Sequence, residues 1–368
     1  MTDKKYPGLY MHVPFCPGKC PYCDFYSFAA KGDIIERYVA ETQRRLEETE
    51  QCFDSVYFGG GTPDRIGADN IKLLLECVNF TPDAEITVEC NPSDTGRESS
   101  SFSFETLREA GVNRISMGLQ SAVDSERRKL GRLSGVKEAQ RAIERIKNAE
   151  IENISLDVML GIPEQTFDTL GETLDFCVSS GASHISAYIL KIEENTPFYR
   201  MRENLNLPDD DTAGEMYLRT VDYLGAHGFK QYEISNFTLP GFESRHNLKY
   251  WRCEEYLGTG PAAHSFMNGR RFYLPADIDS YLAGGLPVDD GEGGDESEYV
   301  MLALRLCEGL VFEKYEKRFG KKVPAEAVNY ARFLESKGLA GVSEKGIALT
   351  PRGFLVSNSV IAEMLERI

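Results

Sequence analysis

Six short runs rich in β-branched and aromatic residues alternate with longer stretches of helical periodicity, and this repeat restricts the fold more than any other feature. The runs are GLYMHVPF (8–15), DSVYFGG (54–60), AEITVECN (84–91), RISMGLQ (114–120), NISLDVMLGI (153–162) and HISAYIL (184–190). Between them lie amphipathic segments such as IIERYVAETQRRLEETE and GVKEAQRAIERIKNAE, apolar at spacings of three and four and charged on the opposite face. A repeating βα pattern predicts a parallel sheet with right-handed crossovers, open or curled into a barrel. The carboxyl ends of such strands converge on one mouth, where α/β folds place their sites. The unusual residues sit at that end: Gly59, Gly60, Gly61 and Thr62 after the second run, Glu89, Gln120, Asp157 and Gly161, and Tyr188 late in the sixth.

The loop after the first run reads CPGKCPYC and holds Cys16, Cys20 and Cys23. The other six of the nine cysteines are scattered singly, so the two pairs of a closed structural zinc site are missing. Three thiols from one short loop suit a metal centre with one position open to a ligand that is not protein. The bland alternative is a zinc knuckle with His12 as fourth ligand; His12 lies inside a predicted strand and reads better as holding the loop by a hydrogen bond.

Beyond the sixth run the pattern changes to a helix around DTAGEMYLRTVDYLGAHG, a strand-like YEISNF, and the segment ESRHNLKYWRCEEYLGTGPAAHSF. Residues 284–297, GGLPVDDGEGGDES, read as a linker. Helical runs dominate from Tyr299 onward. The expected domains are a barrel over 1–238, a connecting segment over 239–290 and a C-terminal unit over 291–368.

With 368 residues, 42% of them hydrophobic, the chain can bury a large core. No apolar run reaches membrane-spanning length and no leader precedes the first strand, so a cytoplasmic protein is expected; an odd number of unpaired cysteines fits a reducing compartment. A net charge of -17 disfavours nucleic acid as a partner, although screening confines that repulsion to about 8 Å at physiological salt.

HVPFCPGKCPYCDF resembles the cluster loop of radical S-adenosylmethionine (SAM) enzymes, in which three cysteines hold a [4Fe-4S] cluster and SAM chelates the fourth iron. The likeness continues in order down the chain, through GGGTP (59–63), TVECNP, SMGLQS, KLGRLS and SLDVMLGIPEQT. It implies a partial (β/α)6 TIM-like barrel of radical SAM type with a small, mainly helical, winged-helix-like C-terminal domain. It also implies Cys16, Cys20 and Cys23 as cluster ligands, and Tyr10, Tyr22, Gly60, Gly61, Thr62, Glu89, Gln120, Arg132 and Asp157 as SAM-binding residues. Each of Glu89, Gln120 and Asp157 could alone be a satisfied polar group at a strand end, and Arg132 an ordinary surface arginine.

Two families of this branch compete. The oxygen-independent coproporphyrinogen dehydrogenase has a fourth cysteine two residues after the third, where this chain has Phe25, and an N-terminal extension of which only about eight residues stand here. The HemW family of haem chaperones has an H-N-x-x-Y-W motif, which this chain spells from His246 to Trp251. The resemblance thus implies haem as a third cofactor, with His246 as iron ligand and Tyr250 and Trp251 as aromatic walls; alternatively these three are packing at a domain boundary. His264 is a second histidine near the mouth. The expected partners are apo-haemoproteins such as respiratory enzymes, a reducing electron donor and a second copy in a homodimer, with transient association with membrane proteins. SAM cleavage is expected in principle. The rivals are the dehydrogenase, and an interaction protein that keeps the metal but has lost SAM chemistry.

Overall fold

The parity of residues along each strand decides what faces the helices and what faces inward. In this computed structural model, which describes residues 5–96, 102–132 and 134–368, all six expected strands form. They are β1 (Gly8–Val13), β2 (Cys52–Gly60), β3 (Asn79–Cys90), β4 (Arg114–Gln120), β5 (Asn153–Leu160) and β6 (His184–Ile189), paired parallel in chain order. β1 stops before Pro14, which has no N–H to give a ladder, and β3 starts earlier than expected, at Asn79.

One parity is apolar throughout: Leu9, Met11 and Val13, Val56 and Phe58, Ile86 and Val88, Ile115 and Met117, Ile154 and Leu156, and Ile185 form the main core beneath the helices. The other parity is polar and meets across the curled sheet. Tyr57 of β2 bonds Glu89 of β3, Ser116 of β4 bonds Asp157 of β5, and Ser155 of β5 bonds His184 of β6. The lumen of this partial barrel is therefore lined by polar and charged side chains, including the fully buried Arg114.

The sheet is wider than the six runs predict. β7 (Lys230–Gln231) and β8 (Asn236–Thr238) extend it antiparallel beyond β6. β9 (Tyr256–Thr259) lies parallel to β1 and is followed by the antiparallel β10 (His264–Met267), β11 (Arg270–Tyr273) and β12 (Val288–Glu292), making a sheet of twelve strands. The stretch 284–297 is thus not a plain linker: it holds β12 and starts the helix Glu296–Ala303. Its glycines and acids fit an exposed edge strand, where charge costs little and discourages pairing with another chain.

The helix Arg245–Trp251 closes the amino-terminal end of the barrel. Ser244 caps it by accepting from the Asn247 N–H, and the buried Glu85 carboxylate accepts the N–H groups of Arg245 (2.9 Å) and His246 (3.0 Å). Lys249, nearly buried, donates to Asp54 (2.9 Å) and to the Tyr6 carbonyl (2.8 Å). Beyond it, five helices surround a three-stranded antiparallel sheet of β13 (Leu310–Val311), β14 (Ala340–Val342) and β15 (Gly346–Leu349). Val300, Leu304, Tyr315, Ala331 and Ile347 give this winged-helix-like unit its own core.

Gly260, after β9, has φ 93° and would place a Cβ 2.2 Å from the His12 carbonyl oxygen. Gly260→Ala is expected to cost roughly 2 kcal/mol or more, read as a lower urea midpoint. An unchanged midpoint would contradict the close docking of β9 on β1.

Candidate functional site

At the carboxyl ends of the strands a cavity of about 470 Å³ opens. Cys16, Cys20 and Cys23 line it, together with Tyr22, Gly60, Gly61, Thr62, Glu89, Gln120, Arg132 and Asp157. Tyr10 and His246 do not.

The cysteine loop is stitched down at several points. Cys16 donates its N–H to the Phe28 carbonyl (2.9 Å), and Cys23 closes a turn onto the Cys20 carbonyl (3.1 Å). His12 is kept neutral by burial, so its Nε2–H donates to the Tyr26 carbonyl (2.9 Å) while Nδ1 accepts from the Tyr10 hydroxyl (3.1 Å). Tyr10 therefore acts through His12, one layer below the cavity. The glycines explain themselves in the same place. Gly61 and Thr62 donate to the carbonyls of Val13 and Phe15 (both 2.8 Å). A Cβ on Gly61 would lie 2.7 Å from both oxygens, and one on Gly60 (φ 103°) would lie 2.5 Å from the His12 ring. Only bare backbone lets the loop close on β2. The Gly60 N–H is also taken, by Glu89, so these two glycines offer a ligand no free N–H.

A side-chain chain runs from the thiols around the wall. The Cys16 thiol meets the Thr62 hydroxyl (3.3 Å), Asn91 donates to Thr62 (2.9 Å), Arg132 donates to Asn91 (2.5 Å), and Arg132 also donates to the Tyr22 hydroxyl (2.7 Å). Gln120 holds φ 69°, a conformation costly for a residue with a side chain. Sequence reasoning missed Asn91, although it stands directly after the Glu89-Cys90 strand end in ECNP. It also missed Tyr57, which the parity of the second run could have placed beside Glu89.

The floor is acidic. Glu89, half-buried at the cavity, accepts from the Tyr57 hydroxyl (2.7 Å) and the Gly60 N–H (3.2 Å). Burial pushes its carboxyl up to about 7. Asp157, which accepts from Ser116 (3.3 Å), is raised as well, again by burial first. Burial raises the thiols of Cys16 and Cys23. Among the described residues no three of His, Cys, Asp or Glu converge as ligands of one metal ion. Three thiols spread over one cavity fit a cluster, where each thiolate takes a different iron, better than a single zinc ion.

His246 is elsewhere. It is fully buried under the barrel, with Nδ1 on the Ser55 hydroxyl (3.0 Å) and Nε2 on the Tyr250 hydroxyl (2.8 Å). Burial lowers its pKa to about 3. Both ring nitrogens are engaged within the protein in this structure, and the ring has no opening to the cavity.

A model of the radical SAM superfamily matches residues 10–177, and one of the HemN C-terminal domain matches residues 297–356. The heme chaperone HemW of Bacillus subtilis is 32% identical over 98% of this chain and 100% of its own. The chain belongs to the HemW family. The Mycobacterium tuberculosis HemW is 34% identical over 97% and 94%, and that of Escherichia coli 36% over 72% and 71%. The fold is shared with the Escherichia coli coproporphyrinogen III oxidase HemN, with a TM-score of 0.83 and 20% identity over 99% of this chain and 91% of that one. Radical SAM membership implies a [4Fe-4S] cluster and SAM. No helix of the described residues is long and apolar enough to cross a membrane.

The raised Glu89 carboxyl has a consequence for stability. Folding raises this group from 4.5 to about 7, so its contribution is full below pH 4.5 and is lost as pH rises toward 7. Glu89→Gln is therefore expected to stabilise the cluster-free protein at pH 8 by roughly 1–3 kcal/mol, with no gain at pH 4. Glu233, which burial also raises to about 7, remains in both proteins and keeps a residual slope. Thermal unfolding across pH checks this; identical pH profiles would contradict it.

Proposed function

We propose that this chain is a haem chaperone that holds a [4Fe-4S] cluster and SAM in the barrel mouth and passes haem to apo-haemoproteins, with respiratory enzymes among its recipients. The full-length likeness to relatives named heme chaperone HemW carries this reading. The cavity, lined by three thiols and two half-buried carboxyls, supports it.

In this reading Cys16, Cys20 and Cys23 hold three irons and leave the fourth to SAM. The bound cluster supplies the electron for reductive cleavage of the SAM sulfonium. The protein's own residues bind and orient. Arg132, fixed by Asn91 and Tyr22, offsets the carboxylate of SAM, while Glu89 and Asp157 take its ammonium and hydroxyl groups. Tyr22, Gln120 and Thr62 close the walls, and enclosure keeps water from the reacting end. Haem is the cargo. Of the five histidines, His12, His184 and His246 use both ring nitrogens within the barrel. His264 is exposed, stacks on Tyr273 at 5.2 Å, and starts β10 at the same end of the sheet as the cysteine loop. Its imidazole is the better iron ligand on access alone.

Two outcomes follow. Anaerobically reconstituted protein given reductant, SAM and coproporphyrinogen is expected to yield no decarboxylated porphyrin while still binding haem and transferring it to an apo-haemoprotein; decarboxylated product would make it a dehydrogenase instead. Replacing any one of Cys16, Cys20 and Cys23 by Ala is expected to abolish the visible cluster absorbance, and a variant that assembles a full cluster would remove that cysteine from the ligand set.

A further inference from the structure

Gln120 and Arg132 reach the cavity from an irregular stretch of chain. β4 bulges just before its end: Gly118 pairs with Asp157 and Gln120 with Val158, which leaves Leu119 without an opposite residue, and Gln120 then turns to φ 69°. A bulge re-aims a side chain at the cost of local ladder bonds. One buried side chain gathers the backbone on both sides of this bend. Arg127, on the short helix Asp124–Lys129, donates from Nη1 to the carbonyls of Leu119 and Ser121. Its Nε and Nη2 donate to the carbonyl (2.8 Å) and the hydroxyl (2.7 Å) of Ser134. Its own carbonyl accepts the Arg132 N–H (2.9 Å).

The turn after that helix also meets the cysteine loop. Gly131 has φ 73°, and a Cβ there would lie 2.7 Å from the Pro21 ring; the next residue, Arg132, donates to the hydroxyl of Tyr22. Burial lowers the Arg127 pKa to about 10, which still leaves the guanidinium charged at neutral pH. A charged donor holds carbonyls more firmly than a neutral one. We infer that Arg127 is a positioning residue for the cofactor cavity: its guanidinium ties the bulged end of β4 to the turn after the short helix and so fixes Gln120 and Arg132 together against SAM. This rests on the reading of the cavity as the SAM site.

The test is SAM affinity by calorimetry on anaerobically reconstituted protein, with cluster iron and thermal midpoint measured in parallel. Arg127→Met keeps the length of the side chain without its donors, and is expected to weaken SAM roughly tenfold at unchanged iron content. Combined with Gln120→Ala, the loss is expected to fall short of the product of the two single losses, because part of the Arg127 effect passes through Gln120. Ile347→Ala is the stability control: it empties part of the separate C-terminal core, and is expected to lower the midpoint while SAM affinity stays at the wild-type value. A purely structural role for Arg127 would not separate these two variants. If Arg127→Met does not fold, Ser134→Ala carries the test; it removes one acceptor of the guanidinium and is expected to weaken SAM about threefold. Unchanged SAM affinity in the variant that folds, single losses that multiply in full, or affinity that tracks the midpoint in Ile347→Ala as well would overturn the inference. A wild-type protein that assembles its cluster and binds no SAM would instead remove the reading of the cavity, and the inference with it.

Discussion

The structure depends on a barrel whose lumen is polar. A parallel barrel ordinarily fills its interior with branched apolar side chains, yet here Glu85, Arg114, Ser116, Ser155 and His184 point inward and are almost wholly enclosed, with the half-buried Asp157 beside them. Burying such groups is costly unless each finds a partner, and the partners come from every direction. Glu85 caps the closing helix, Tyr57 and Gly60 hold Glu89, and the serines take up Asp157 and His184. Nε and Nη1 of Arg114 have no hydrogen-bond partner among the described residues. The apolar work of folding is carried by the opposite strand parity against the helices, which frees the lumen for binding.

The closing helix is what makes that lumen viable. Without it the amino-terminal end would open to water, and the Glu85 carboxylate would lose the two backbone N–H groups it accepts. The H-N-x-x-Y-W motif lies on this helix, with the imidazole of His246 held between two hydroxyls. An exposed histidine on the sheet extension, His264, keeps an unencumbered ring at the mouth end.

Much of this was legible in the sequence because it rests on local rules. Strand parity and helical spacing are short-range, and all six barrel strands were found with small errors at their ends, such as the Pro14 stop of β1. The cavity residues were legible for a different reason: they lie at strand ends and match a motif series in order. What was hidden was long-range. β12 looked like a linker because an exposed edge strand need not be apolar. The burial of His246 was hidden as well, because it is set in part by a residue nearly two hundred positions away, Ser55. Gly60 and Gly61 looked like ligand backbone, and the structure adds a prior reason for them, the carbonyls of Val13 and Phe15 that a side chain would strike.

The central claim is that the three thiols hold a cluster in the same cavity that takes SAM. The most direct measurement is the electron paramagnetic resonance spectrum of the reduced, reconstituted protein with and without SAM. The account predicts a cluster signal whose g-values shift when SAM is added, because SAM occupies the iron that no cysteine holds. A cluster signal that is the same in both samples would contradict it.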